Sequence, residues 1–174
     1  MELIKAARKD FDELSRFYRS TILNTAKMNV HAKWIYGKHP TDEMIMQYIN
    51  QGAMYFCKIN GAIASAVAVT LHQGEDYHDT FWSVSANDDE ISVVHILCVD
   101  PNFQRQGIAK ETMRLVFELS RNYGKTAVRL DALACNKPAH KLYESLGFKK
   151  KGVRRWFAEN VGWTDFFLYE LVLQ

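Results

Sequence analysis

Two stretches of this 174-residue chain combine residue types and spacings that suit chemistry on an anionic ligand. The first is Gln104-Arg105-Gln106-Gly107-Ile108-Ala109, which follows an apolar run ending in Val99-Asp100-Pro101. A strand ends there, a turn follows, and a helical period begins near Gly107. The first amides of a helix have no internal partner and carry the positive end of its dipole. Together with the preceding turn they form a concave anion site, suited to a pyrophosphate. Gly107 lets the backbone approach a ligand closely, and Ala109 is small for the same reason. Arg105 and Lys110 add positive charge. A glycine at a helix start is an ordinary joint; the full pattern Q-x-x-G-x-A after Val-Asp-Pro is much more specific.

The second stretch runs from Asn136 to Phe148. Asn136 can cap a helix and Gly147 can stop it, with Ala139, Leu142, Tyr143 and Leu146 on its inner face. Asp131 lies five residues before Asn136, on the strand-like run Ala127 to Leu133.

The elements that must position these residues follow from pattern. Leu3 to Arg8 suits a first strand, and Asp10 can cap a helix to about Leu23 with Phe11, Leu14, Phe17 and Tyr18 on one face. Thr41 can cap a second helix through Gln51. Met54 to Ile59 and Ile63 to Leu71 read as strands joined at Asn60-Gly61, a strong type I′ hairpin signal. Gln73 to Glu90 reads as a polar loop, Ser92 to Val99 as a buried strand. A helix follows from Gly107 to Arg121, with Ile108, Thr112, Leu115 and Leu119 in helical register. Lys149 to Phe157 and Trp163 to Leu173 are the last strands. The order β-α-α-β-β-β-α-β-α-β-β predicts an α/β fold with a mixed sheet and helices on its faces, in one domain over 1–174.

Both stretches resemble the GCN5-related N-acetyltransferase (GNAT) superfamily. That family carries Q/R-x-x-G-x-G/A after a strand often ending in V-D-P, and an N-x-x-A-x-x-L-Y-x-x-x-G-F segment downstream. Asn136-Lys137-Pro138-Ala139-His140-Lys141-Leu142-Tyr143-Glu144-Ser145-Leu146-Gly147-Phe148 matches the latter. Motif-level support lies in Val93 to Phe148, and the element order matches throughout.

The resemblance implies acetyl-CoA as co-substrate, held by Gln104 to Lys110 and Asn136, and direct transfer of acetyl to an amine. Backbone N–H groups of Leu97, Cys98 and Val99 would polarise the thioester carbonyl. Tyr143 matches the family tyrosine that protonates the departing thiolate. The amine must lose a proton, since a lysine-like amine has a pKa of about 10.4. Asp131, at the place of a glutamate base in ribosomal-protein N-terminal acetyltransferases, is the first candidate base, with Glu90 and His95 as rivals. Cys98 reads as a small buried thiol and not as a nucleophile. The acceptor should enter between Thr21 to Pro40 and Phe157 to Trp163, past Trp34, Tyr36, Phe157 and Trp163, with Glu159 and Asp165 as surface carboxylates.

Other features bound the reading. A net charge of +2 argues for neither nucleic acid nor an anionic membrane. Cys57, Cys98 and Cys135 are scattered and odd in number, which suits a reduced cytoplasmic protein. No apolar run reaches the roughly 20 residues that span a bilayer. Gly124-Lys125-Thr126 lacks the upstream glycine of a phosphate-binding loop. His72, Asp76, His78 and Asp79 match no metal-ligand spacing, so no metal is expected. A non-catalytic acyl-CoA sensor on the same fold is the alternative function, and a homodimer paired through a sheet edge is a further expectation from the family.

Overall fold

Asn60 and Gly61 take φ values of 50° and 82°. This two-residue turn folds strand Met54–Ile59 back on strand Ala62–Thr70, as a type I′ turn does. The computed structural model, which describes residues 1–173, places this hairpin within a seven-stranded sheet. In chain order the elements are β1 (Ile4–Lys5), α1 (Phe11–Asn24), α2 (Asp42–Asn50), β2 (Met54–Ile59), β3 (Ala62–Thr70), β4 (Ile91–Val99), α3 (Ile108–Asn122), β5 (Ala127–Leu133), α4 (Lys137–Ser145), β6 (Lys149–Ala158) and β7 (Gly162–Val172). The sheet order is β1-β2-β3-β4-β5-β7-β6, with β4 and β5 parallel and every other pair antiparallel. The expected mixed α/β architecture is what the chain forms.

Period-two alternation divides the core. Met54, Phe56, Ala66 and Ala68 pack with Leu14, Phe17 and Tyr18 of α1 and with Ile45 and Ile49 of α2. Tyr55, Val67 and Val69 point the other way, against Met113, Val116 and Phe117 of α3. The small residues of β3 are therefore covered on both faces. Their one hydroxyl on the α3 side, Ser65, meets Thr112 at 2.7 Å.

Three local expectations shift. The first strand shortens to two residues before a 3₁₀ turn at Arg8–Asp10. Asp10 does not cap α1, because its Oδ2 accepts instead from the Ala7 N–H at 2.8 Å. The buried stripe of α3 is Thr112, Met113, Val116, Phe117 and Ser120; Ile108, Leu115 and Leu119 flank it. Both sets have helical spacing, and contact with the sheet selects the one nearer its centre.

The loop between β3 and β4 is not simply a solvated connection. Tyr77 is buried and stacks on Trp82 at 5.8 Å between ring centroids. Beneath them Arg129 of β5 and Glu170 of β7 form an ion pair at 3.0 Å, each about 1% exposed. Arg129 also donates to Gln73 and to the Val84 carbonyl and lies 4.2 Å from the Trp82 ring centre. Glu170 accepts from the Ser83 N–H at 2.7 Å. The loop thus supplies the hydrogen bonds that two buried charges require.

Candidate active site

The parallel pairing of β4 with β5 runs from Ile91↔Ala127 to Val94↔Leu130 and then stops. Beyond it β5 stays paired to β7, and β4 stays paired to β3. The two strands splay, and the sheet opens into a cleft of about 450 Å³. That size is ordinary for a small-molecule site. Val94 to Val99 line one wall and Asp131 to Leu133 the other.

A bulge aims the β4 wall. Partners jump from Ala66↔Cys98 to Ala68↔His95, so β4 carries one residue more than β3 across that step. Ile96 takes φ 44°, a strained value for a β-branched residue. The buried Tyr18 hydroxyl donates to the Ile96 carbonyl at 3.0 Å and holds the kink. Past Val94, one edge of β4 faces the cleft in place of β5. N–H groups on that edge, in the segment expected from Leu97, Cys98 and Val99, can receive a carbonyl oxygen.

At the end of β4, Asp100 accepts from the Asn102 N–H and a 3₁₀ turn spans Pro101–Phe103. Arg105 and Gly107 take φ values of 62° and 81°, which turn the chain into α3. The first amide bonded within the helix is Glu111, to the Gly107 carbonyl, so the amides of Ile108, Ala109 and Lys110 precede the helical ladder. Nothing stands within 4 Å of where a Gly107 Cβ would lie. Gln104 donates to the Val99 carbonyl and the Thr25 hydroxyl, so its side chain braces the turn against the end of α1. Gln104 and Ala109 line the cleft, while Arg105, Gln106 and Lys110 stand exposed beside it. This geometry fits a pyrophosphate outside the cleft with its attached chain running in.

The opposite wall carries the other half of the expected site. Asn136 caps α4, accepting from Ala139 N–H at 3.4 Å, and lines the cleft with Pro138, Ala139, Leu142 and Tyr143. Tyr143 is buried against Phe148 and Tyr169. Burial, then the charges of Asp131 and Tyr169, push its phenol well above the usual tyrosine range, so it stays protonated.

Asp131 lies in the same cleft. Burial raises its carboxyl above the usual range, against the hydrogen bond from Tyr77, which donates to Oδ1 at 2.7 Å. Tyr48, pushed up to about 12 by burial and then by Asp131, lines the cleft beside it. His95 also faces the cleft, but stacks on Tyr48 at 5.6 Å and contacts Thr70 Oγ1 at 3.3 Å. Burial lowers its pKa to about 4. Glu90 lies at the other end of β4, outside the cleft lining, where its carboxylate accepts from the Asn87 N–H at 2.7 Å. Burial raises the Cys98 thiol, which suits an inert side chain.

The acceptor side is only partly as expected. Trp34 lines the cleft, as do Ala158, Asn160 and Phe166 from the β6–β7 hairpin. Tyr36 sits outside under Arg19, 5.1 Å from its guanidinium. Phe157 and Trp163 are exposed and pack on each other, and Asp165 faces Arg155 at 3.5 Å. Glu159 is exposed. His78 pairs with Asp88 and Asp79 with Arg154, so these side chains belong to the loop's own contacts. Tyr48, Tyr77 and Phe166 had no signal of their own in the sequence as site residues.

Known proteins place this geometry. The acetyltransferase (GNAT) family model matches residues 8–148. Among curated relatives, the [ribosomal protein bS18]-alanine N-acetyltransferase of Escherichia coli K12 is 36% identical over 67 residues, covering 38% of this chain and 45% of that one. The N-acetylaspartate synthetase of Danio rerio is 41% identical over 68 residues, covering 39% and 24%. The chain thus spans 45% and 24% of the length of these relatives, less than half of each. Among solved structures, a GNAT-family acetyltransferase from Streptococcus agalactiae superposes with a TM-score of 0.81 at 17% identity, covering 99% and 95%. A Salmonella typhimurium protein solved with its cofactor acetyl-CoA gives 0.70 at 16%, covering 100% and 94%. With the splayed strands, the helix-start cradle and a family match over most of its length, this chain belongs to the acetyltransferase (GNAT) family.

Proposed function

We propose that this chain transfers acetyl from acetyl-CoA directly to a primary amine, with Asp131 as base and Tyr143 as acid. The observation that carries the reading is that Asp131 and Tyr143 line one cleft whose far end meets the cradle at α3. Acetyl-CoA would supply an activated thioester. Amides on the free edge of β4 stabilise negative charge on its carbonyl oxygen. Asp131 removes a proton from the amine, directly or through water, as the C–N bond forms. Tyr143 gives a proton to sulfur as the C–S bond breaks. Tyr77 fixes one carboxylate oxygen of Asp131, which leaves the other for the proton.

Magnitudes choose among the bases. A general base works best when its pKa approaches the working pH. Asp131 is displaced upward from the carboxylate range, toward neutrality. His95, at about 4, is displaced away from it. Glu90 lies outside the cleft lining.

Thermal unfolding with and without acetyl-CoA, followed by thiol release over polyamines, amino acids, aminoglycosides and N-terminal peptides, tests the reading. Expected are a rise in Tm and thiol release with at least one amine. A rise in Tm with no thiol release from any amine would leave an acyl-CoA sensor in its place.

A further inference from the structure

We infer that the acceptor is a small primary monoamine on an apolar or aromatic body, with no anionic group beside the amine. The inference rests on the acetyltransferase reading of the cleft and names the class of amine that it takes.

Charge inside the cleft is the first argument. Among the described residues that line it, Asp131 is the only one of the types Asp, Glu, Lys or Arg. Its two histidines, His39 and His95, are both shifted by burial toward the neutral form. The cation nearest on the same strand, Arg129, is about 1% exposed and committed to Glu170, Gln73 and the Val84 carbonyl. Arg154 of β6 stands outside the cleft lining; its Nε donates to Thr80 at 3.4 Å, and its buried Nη2, which makes no hydrogen bond, lies 3.8 Å from Asp79. An acceptor carboxylate would therefore enter without a cation in the cleft lining to meet it and close to a like charge, which is the costly arrangement for a buried ion. An ammonium meets the reverse: one anion to draw it in and aromatic rings to face it.

The wall is the second argument. On the acceptor side Met28, Trp34, Met44, Tyr48 and Phe166 supply most of it, with His39 and Asn160 as polar neighbours. Once the amine has lost its proton, such a wall suits an apolar body and offers little to a polyhydroxylated or polyamine one.

The roof is the third. Asn160 at the tip of the β6–β7 hairpin donates to the Lys33 carbonyl at 2.7 Å. Cys135, between β5 and α4, donates to the His31 carbonyl at 3.4 Å. The α1–α2 loop is thus tied to both sides of the cleft. These ties narrow the acceptor end, which favours a small molecule over a polypeptide that needs an open groove.

Thiol release by the full chain with acetyl-CoA tests this with a matched pair. 2-Phenylethylamine and L-phenylalanine share a ring and an amine and differ by one carboxylate. The expected kcat/KM favours 2-phenylethylamine by at least ~10-fold over L-phenylalanine and over L-aspartate, because the site cannot compensate a buried anion. Met44→Lys should shrink that ratio while acetyl-CoA affinity holds, and an unchanged ratio counts against the charge argument. Equal or faster turnover of L-phenylalanine or L-aspartate overturns the inference and leaves the acetyltransferase reading intact. So does a peptide with N-terminal phenylalanine that outruns 2-phenylethylamine. If acetyl-CoA raises Tm and no amine releases thiol, the acetyltransferase reading falls and takes this inference with it.

Discussion

The two ends of the cleft are built from different material. At the cradle end the working groups are backbone: the turn around Arg105 and Gly107, the first amides of α3, and the free edge of β4. At the acceptor end they are side chains, brought together from α2, the β3–β4 loop, β5 and β7. Backbone groups recognise what every acetyl donor shares and tolerate wide change in side chains. On the proposed reading, side chains set which amine is received. The comparison teaches that a common donor and a varied acceptor can be served by one fold, because each is read by a different kind of group.

The largest test of this division is chemical. Asp131→Asn should lower kcat by about 10²–10⁴-fold, the usual worth of a general base, with acetyl-CoA affinity nearly unchanged by calorimetry. In the parent protein the acidic limb of kcat/KM should lie above the ordinary carboxylate range, since burial raises Asp131. The limb should persist in Glu90→Gln and His95→Ala; its loss in either would move the base.

Next in size is the frame beneath the acceptor end. Arg129→Met leaves Glu170 as an unpaired buried charge, and breaking such a pair costs about 3–5 kcal/mol. Denaturant unfolding should show that loss. Chain that remains folded should bind acetyl-CoA normally, because the cradle lies on other elements.

A pH effect follows. His95 has a pKa near 4 in the fold against 6.5 as its ordinary value. Between these values the unfolded chain binds more protons, so stability rises with pH across that window and is flat above it. The drop from pH 7 to pH 4 from this group is on the order of 3 kcal/mol. His95→Gln should flatten the Tm-against-pH curve there.

The smallest effect belongs to the cradle. At φ 81° with open space around it, Gly107 resists a side chain through backbone strain alone. Gly107→Ala should cost about 1–2 kcal/mol, read as a lower Tm and a weaker acetyl-CoA Kd, with kcat little changed. A collapse of kcat would mean that the two ends are not separable.

The same division explains what could be read from the sequence. Gln104 to Ala109 and Asn136 to Phe148 are contiguous, so their spacing carries the turn, the cap and the helix face. Asn60-Gly61 carries its hairpin for the same reason. The contact of Tyr77 with Asp131 joins residues 54 apart. In the sequence Tyr77 is one aromatic in a polar loop, and it is buried against Ile91, Val93, Ala127 and Leu168, which meet only when β4, β5 and β7 pair. The kink at Ile96 has no local signal either, because it is a mismatch of register between β3 and β4. Helical period puts Ile108, Thr112, Leu115 and Leu119 on one stripe of α3, and contact with the sheet buries a neighbouring stripe that shares only Thr112 with it.

The parting of β4 from β5 after Val94 also reaches hydrogen exchange. In most sheets a buried strand is also slow to exchange its amide hydrogens, because burial and hydrogen bonding come together. Past Val94 they separate. Cys98 and Val99 pair with Ala66 and Ser65 on one side, while the other edge of the same buried strand has no sheet partner from β5. Deuterium should enter that edge early, deep in the protein, and a bound donor should close it.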